Sequence, residues 1–176
     1  TFSEDGNEEV PQSAFICMDY NGRILGVVGG IGEKESPLCL NRATMSTRQP
    51  GSSIKPLSAY SLSVDRDLVT WSTQFLDVPL LIKDNDSYLT WPRNSTSGAT
   101  TSSWSKEYNF TFSCLQRSLN TTAAQLVEML TPSESFEFLH YKLHLDSLEL
   151  YKDGKTDIAR SPMSVGALTN GVTLQD

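Results

Sequence analysis

Residues 48–56 read Arg48-Gln49-Pro50-Gly51-Ser52-Ser53-Ile54-Lys55-Pro56, and the pair that matters is Ser52 with Lys55. Proline is tolerated near the start of a helix, where the first N–H groups have no intrahelical partner, so Pro56 is compatible with a helix opening here. Residues three apart on a helix share a face, with Cβ atoms about 5–6 Å apart, so the Lys55 side chain can reach the Ser52 hydroxyl. Ser53 has Pro56 at the same offset and no such partner. A serine hydroxyl is a weak nucleophile at neutral pH and needs both a base and donors for the oxyanion it creates. Burial and the positive end of a helix push a lysine pKa down, which makes Lys55 a candidate base, worth about 10²- to 10⁴-fold in rate. Gly51 lets the backbone approach a ligand, and the first free N–H groups of the helix point toward an acyl oxygen. Taken alone, the same spacing also suits an ordinary solvated helix.

A second element is Arg117-Ser118-Leu119-Asn120, which sets a hydroxyl and a carboxamide two residues apart. In an extended turn that spacing sends both side chains the same way, where they could relay a proton and hold an amide. Either residue could equally cap the helix that follows, TTAAQLVEML.

The surrounding text decides between these readings. NRATMSTRQPGSSIKP (41–56), RSLNTTAAQL (117–126) and GALTNGVTLQD (166–176) resemble, in that order, segments of the transpeptidase domain of class A, bifunctional penicillin-binding proteins, a superfamily marked by S-x-x-K, S-x-N and K-T-G motifs. SAFICMDYNGRILGVVGG (13–30) is similar to that family's first strand pair. The resemblance implies an α+β, β-lactamase/transpeptidase-like fold. It makes Ser52 the acylated nucleophile, with its own N–H as one oxyanion donor, Lys55 its proton acceptor, and Ser118 with Asn120 the second motif. It implies no cofactor and no metal. The implied reaction is D,D-transpeptidation: the serine attacks a D-Ala-D-Ala amide of a peptidoglycan stem peptide, releases D-alanine and passes the acyl group to an amine on a neighbouring strand. β-Lactams mimic the donor. A serine β-lactamase, a β-lactam sensor that acylates once and stays acylated, and an inert structural piece are the alternatives.

No K-T-G occurs among the 176 residues. Lys155-Thr156-Asp157 comes before the GALTNGVT segment, whereas the family's K-T-G follows it, and Asp157 would set a carboxylate against a carboxylate-bearing substrate. Lys155 and Thr156 are therefore expected to be loop residues. The family's sheet is five-stranded and antiparallel, with two strands from the N-terminal hairpin and three from beyond this sequence. The expectation is residues 1–12 as a flexible leader, and 13–176 as a partial transpeptidase domain: a helical subdomain on an incomplete sheet whose edge invites self-association. Such a chain is expected to lack full activity alone. A membrane anchor and a glycosyltransferase domain would lie upstream in the parent protein, at the outer face of a bacterial cell membrane.

Composition agrees with one domain and excludes some partners. A net charge of −7 argues against nucleic acid or an anionic membrane surface, and no apolar run approaches the roughly 18 residues needed to span a bilayer. Cys17, Cys39 and Cys114 lack metal-ligand spacing and are expected as thiols, Cys17 buried in a strand. His140 and His144 fall at i and i+4 of a predicted helix without an evident third ligand. Asn94, Asn109 and Asn120 open N-x-S/T sequons, which carry no weight in a bacterial family.

Strands are predicted at 13–20 and 23–28 around a type I′ turn at Asn21-Gly22, with a long connection over 31–50. A helix is predicted from Ser52 to about Asp65 with Ile54, Leu57 and Tyr60 inward. The stretch 70–105, broken by Pro79, Pro92 and Gly98, reads as a loop or cleft rim. Residues 112–115 read as a helix or turn. Helices follow at 121–130, with Ala124, Val127 and Leu130 inward, and from Glu134 to about His144, capped by Ser133, with Phe136, Leu139 and Leu143 inward.

Overall fold

The computed structural model of the chain describes residues 11–34, 36–85, 87–95 and 104–176. Most of the 1–12 segment and part of the polar run before Trp104 lie outside the described residues. The described chain is α+β and divides into two compact units, one running through Arg48 and including Val172–Asp176, the other Gln49–Gly171.

In the first unit, β1 (Phe15–Met18) pairs antiparallel with β2 (Ile24–Val28), from Phe15↔Val28 to Met18↔Ile24, with a register slip between Cys17 and Met18. The turn differs from the predicted type I′ form. Gly22 N–H donates to Asp19 C=O at 3.1 Å and Gly22 has φ +79°, but Asn21 is not in the left-handed region. The Asp19 carboxylate accepts the N–H groups of Asn21 and Arg23, both at 2.9 Å, which favours a longer loop closed by a left-handed glycine. Cys17 is exposed, not buried, because every residue of the two strands except Ile16 faces solvent to a large degree. The 31–50 connection contains a short helix, α1 (Arg42–Met45), capped by Asn41 accepting Ala43 N–H at 3.1 Å. Arg48 and Val172 exchange both backbone hydrogen bonds, at 2.8 and 2.9 Å.

In the second unit a helical run, α2, begins with a 3-10 turn (Gly51–Ile54), widens to a π-type segment (Pro56–Ser61) and ends as α-helix (Leu62–Asp65). Pro56 causes the change of pitch, since it has no N–H to return to the preceding turn. The wider turn rotates the buried face: Ile54 and Tyr60 are inside as predicted, but Leu57 is exposed and Ser58 and Ala59 are buried in its place. α4 (Asn120–Leu130) is the hub, with Ala124, Val127 and Leu130 all buried, and it packs on α2, α5 (Pro132–Glu137) and α6 (Arg160–Val165).

Thr131, rather than Ser133, caps α5, accepting Glu134 N–H at 3.2 Å. α5 continues as a π-type turn, Phe138–Lys142, so Phe136 and Leu139 are buried while Leu143 emerges. The helix ends before His144, whose φ is +59°, so the two histidines do not share a helix face. His140 instead stacks on Phe136 and meets Tyr141 edge-on.

The stretch expected to be a loop forms strands. β3 (Gln74–Leu76) pairs with β6 (Tyr108–Phe110), and β4 (Leu80–Asp84) with β5 (Ser87–Trp91), each antiparallel. α3 (Thr111–Gln116) follows β6 directly. Lys155 sits in a tight turn, exchanging backbone hydrogen bonds with Lys152 at 2.8 Å, as expected of a loop residue. Asp157, fully buried, accepts the N–H groups of Glu149 (2.8 Å) and Thr169 (2.7 Å), tying down the segment after α6. No helix among the described residues is long and apolar enough to cross a membrane.

Candidate active site

Lys55 is the centre of the site. Its side chain is buried, 1% exposed, among the largest enclosed side chains of the fold. A buried ammonium must be hydrogen-bonded, and Nζ donates to Ser118 C=O at 2.8 Å, Ser118 Oγ at 3.2 Å and Asn120 Oδ1 at 2.5 Å. Burial lowers its pKa from 10.5 to about 8. At neutral pH an amine so placed is within reach of its deprotonated form, as a proton acceptor requires.

Ser118 owes its position to the end of α3. Its N–H bonds Leu115 C=O and the N–H of Leu119 bonds Cys114 C=O, both at 2.9 Å, the pattern of a helix closed by a left-handed residue. Glycine is the usual occupant there; here it is Ser118, with φ +53°. A non-glycine residue in that region costs about 1–2 kcal/mol. This conformation turns both the carbonyl and the hydroxyl of one residue toward the same amine.

Two residues later Asn120 opens α4, and its amide is held at both ends: Oδ1 by Lys55 and Nδ2 by the carbonyl of Arg93, at 2.6 Å. The structure thus brings Lys55, Ser118 and Asn120 together across more than sixty residues of sequence. Ser52 lies one turn before Lys55 on the same helical run, exposed, and among the described residues no side-chain hydrogen bond joins the two. Lys55 N–H closes the turn on Ser52 C=O. On its other flank, Gly51 abuts Gly166, the left-handed residue that ends α6: a Cβ built on Gly166 would lie 2.2 Å from Gly51 O.

Sequence reasoning missed Asp77 and Asn94. Asn94 Oδ1 accepts the N–H groups of Asn120 at 2.7 Å and Thr121 at 3.2 Å, while its Nδ2 donates to Asp77 at 2.8 Å. The only signal in the sequence is two polar residues near Val78 and Pro92 in a breaker-rich stretch, and periodicity reads such residues as loop. Asn94 and Asn120, both in sequons, are engaged in these bonds.

No protein-family profile matches the chain. Penicillin-binding protein 1A of Clostridium botulinum is 31% identical over 134 residues, covering 73% of this chain and 16% of that protein. The chain belongs to the class A penicillin-binding protein family. Penicillin-binding protein 1A of Escherichia coli is 36% identical to it over 91 residues, 49% of this chain and 10% of that protein. The crystal structure of penicillin-binding protein 1A from Haemophilus influenzae covers 98% of this chain and 24% of its own, with a TM-score of 0.67 and 23% identity. This member of the family therefore has the transpeptidase-like α+β fold, and it spans under a quarter of the length of these relatives.

Proposed function

We propose that this chain carries the serine-acylation apparatus of a D,D-transpeptidase acting on peptidoglycan stem peptides, with Ser52 as nucleophile. The observation that carries the reading is the buried Lys55 amine, bonded to Ser118 and Asn120 one helical turn from an exposed serine. In the proposed reaction Ser52 Oγ attacks the carbonyl of the D-Ala-D-Ala amide as its proton passes to Lys55. The tetrahedral oxyanion takes a hydrogen bond from the Ser52 N–H. As the C–N bond breaks, the departing D-alanine amine takes a proton relayed from Lys55 through the Ser118 hydroxyl, which lies 3.2 Å from Lys55 Nζ. Attack by an amine of a second stem peptide, whose N–H proton passes through Lys55 to the departing Ser52 Oγ, then releases Ser52 and forms the cross-link. Asn120 orients both Lys55 and the substrate amide.

β-Lactams enter the same first step and leave a long-lived ester. The parent protein is proposed to be anchored in the membrane, with a glycosyltransferase domain, and to act on the outer side. The K-T-G strand of the family has no counterpart among these residues, so the complete parent domain is the species expected to react fully.

Fluorescent penicillin and intact-mass measurement test this on the parent protein and on the chain in parallel. A stable adduct on Ser52, absent from Ser52→Ala, is expected for the parent domain. Labelling that survives Ser52→Ala excludes Ser52 as nucleophile. Rapid hydrolysis of the adduct would mark a β-lactamase instead.

A further inference from the structure

The first turn of α4 has an unusual arrangement. Its N-cap position is Leu119, whose side chain has no acceptor to offer the orphan N–H groups of the helix. Asn94 supplies the acceptor from 26 residues away, taking both the Asn120 and Thr121 N–H groups on one oxygen. The residue before it, Arg93, takes the Asn120 side-chain N–H on its carbonyl. The segment that caps α4 is therefore also the segment that aims the Asn120 oxygen at Lys55.

That segment is held in turn by Asp77. The carboxylate is 1% exposed and accepts from Asn94 Nδ2 (2.8 Å), Thr121 Oγ1 (2.7 Å), and Ser105 N–H and Oγ (both 2.9 Å). Gln125, one turn further along α4, donates to the carbonyls of Leu76 and Val78 on either side of Asp77, at 3.1 Å each. A buried carboxylate with this many donors is a rigid anchor, since each lone pair lost leaves a donor unsatisfied.

We infer that Asp77 and Asn94 form a positioning bracket that caps α4 from outside and fixes the Asn120 amide toward Lys55, so that they set the rate of serine acylation without touching the substrate. This rests on the acyl-transfer reading above for its kinetic consequence, and on geometry alone for the cap.

The polarity of the bracket supplies its test. Asn94 gives one N–H to Asp77 and one carbonyl to the helix. In Asn94→Asp two carboxylates face each other, and in Asp77→Asn an amide N–H faces a donor. In the double variant D77N/N94D, Asn at 77 donates to Asp at 94, which still accepts from α4. Acylation by fluorescent penicillin is measured on the parent protein as a function of ligand concentration, separating the first-order acylation constant from the saturation constant. Hydrogen exchange of the Asn120 and Thr121 amides is measured on the chain itself.

Each single variant is expected to lose about 100-fold in the first-order constant, the scale of a misplaced catalytic group, with saturation constants within about twofold. Both are expected to expose the two amides to exchange. The double variant is expected to recover most of both. Singles with wild-type acylation and wild-type amide protection, or a double variant no better than the singles, overturn the inference. Failure of the wild type to acylate, or labelling that persists in Ser52→Ala, defeats the functional reading instead, and the exchange measurement still decides the cap.

Discussion

Gly166→Ala probes the contact on which the geometry around Ser52 depends. Gly166 ends α6 at φ +71°, and an added Cβ would lie 2.2, 2.7 and 2.8 Å from the O, C and N atoms of Gly51. Those are backbone atoms of the residue leading into Ser52, so they cannot swing aside as a side-chain tip could. The strain of alanine in the left-handed region is about 1–2 kcal/mol, and overpacking against fixed atoms adds about 1–3 kcal/mol. A control isolates the second quantity. Gly154 has nearly the same φ, +77°, with nothing within 4 Å of the point an added methyl would occupy. Gly154→Ala shares the strain and the same gain from a stiffer unfolded chain, about 0.4–1 kcal/mol, and lacks the clash. Urea unfolding followed by circular dichroism should therefore place Gly166→Ala about 1–3 kcal/mol below Gly154→Ala. Equal stabilities within about 0.5 kcal/mol would refute the idea that Gly166 fixes the Gly51 peptide. Where Gly166→Ala remains folded, acylation at Ser52 should be slower than in Gly154→Ala.

Lys55 links stability to pH. Its folded pKa of about 8 lies below the ordinary 10.5, so between those values the unfolded chain binds more protons and stability rises with pH, by up to about 3 kcal/mol in full. Below pH 8 the penalty for burying the ammonium is fully present. Burial raises Tyr60 above its ordinary value of 10.0, with Cys114 adding to it, and burial also raises the Cys114 thiol above its ordinary 9.0; both act in the opposite sense, Cys114 from about pH 9 and Tyr60 from about pH 10, so the informative range is pH 8 to 9. Lys55→Met should abolish that slope and acylation together while keeping the fold, and a slope unchanged by the substitution would refute the assignment. Ser118→Gly relieves the left-handed strain of about 1–2 kcal/mol but adds unfolded-state freedom of about 0.4–1 kcal/mol, so thermal unfolding should be unchanged or slightly higher while acylation falls. Burial would raise the Asp77 carboxyl, but the Ser105 N–H, Thr121, Asn94 and Ser105 hydroxyl bonds outweigh it and hold the pKa below 3.8. Its stabilising contribution is present above that pH and lost as pH falls through the lower folded value, so the stability gap between wild type and Asp77→Asn, measured by urea unfolding, should narrow in acid.

The residues that sequence can read and those it cannot differ in the range of the information they need. Ser52 with Lys55, and Ser118 with Asn120, are local spacings, and the expected helices at 121–130 and after Thr131 follow from apolar periodicity within a dozen residues. β3 and β6 pair residues as far apart as Gln74 and Phe110, and neither strand alone is long enough to announce itself. Prolines on either side of β4 and β5 read as breakers, although the hairpin lies between them. Leu57 and Leu143 depart from expectation for a different reason: both belong to or follow π-type turns, which add to the residues per turn and carry the next apolar side chain off the buried face.

These departures are not scattered at random over the second unit. Pro56 breaks the regular helix directly after Lys55, Ser118 occupies a glycine position two residues before Asn120, and α4 begins at a leucine that cannot cap it. Each breaks a local rule, and each is compensated by a contact from elsewhere: the Ser118 and Asn120 oxygens around the buried amine, and Asn94 at the helix start. Local preference and tertiary structure disagree where the proposed catalytic arrangement needs a geometry that neither a plain helix nor a plain turn provides. A fold selected for stability alone would place glycine at 118 and a serine or aspartate at 119, and it would have no reason to enclose a lysine.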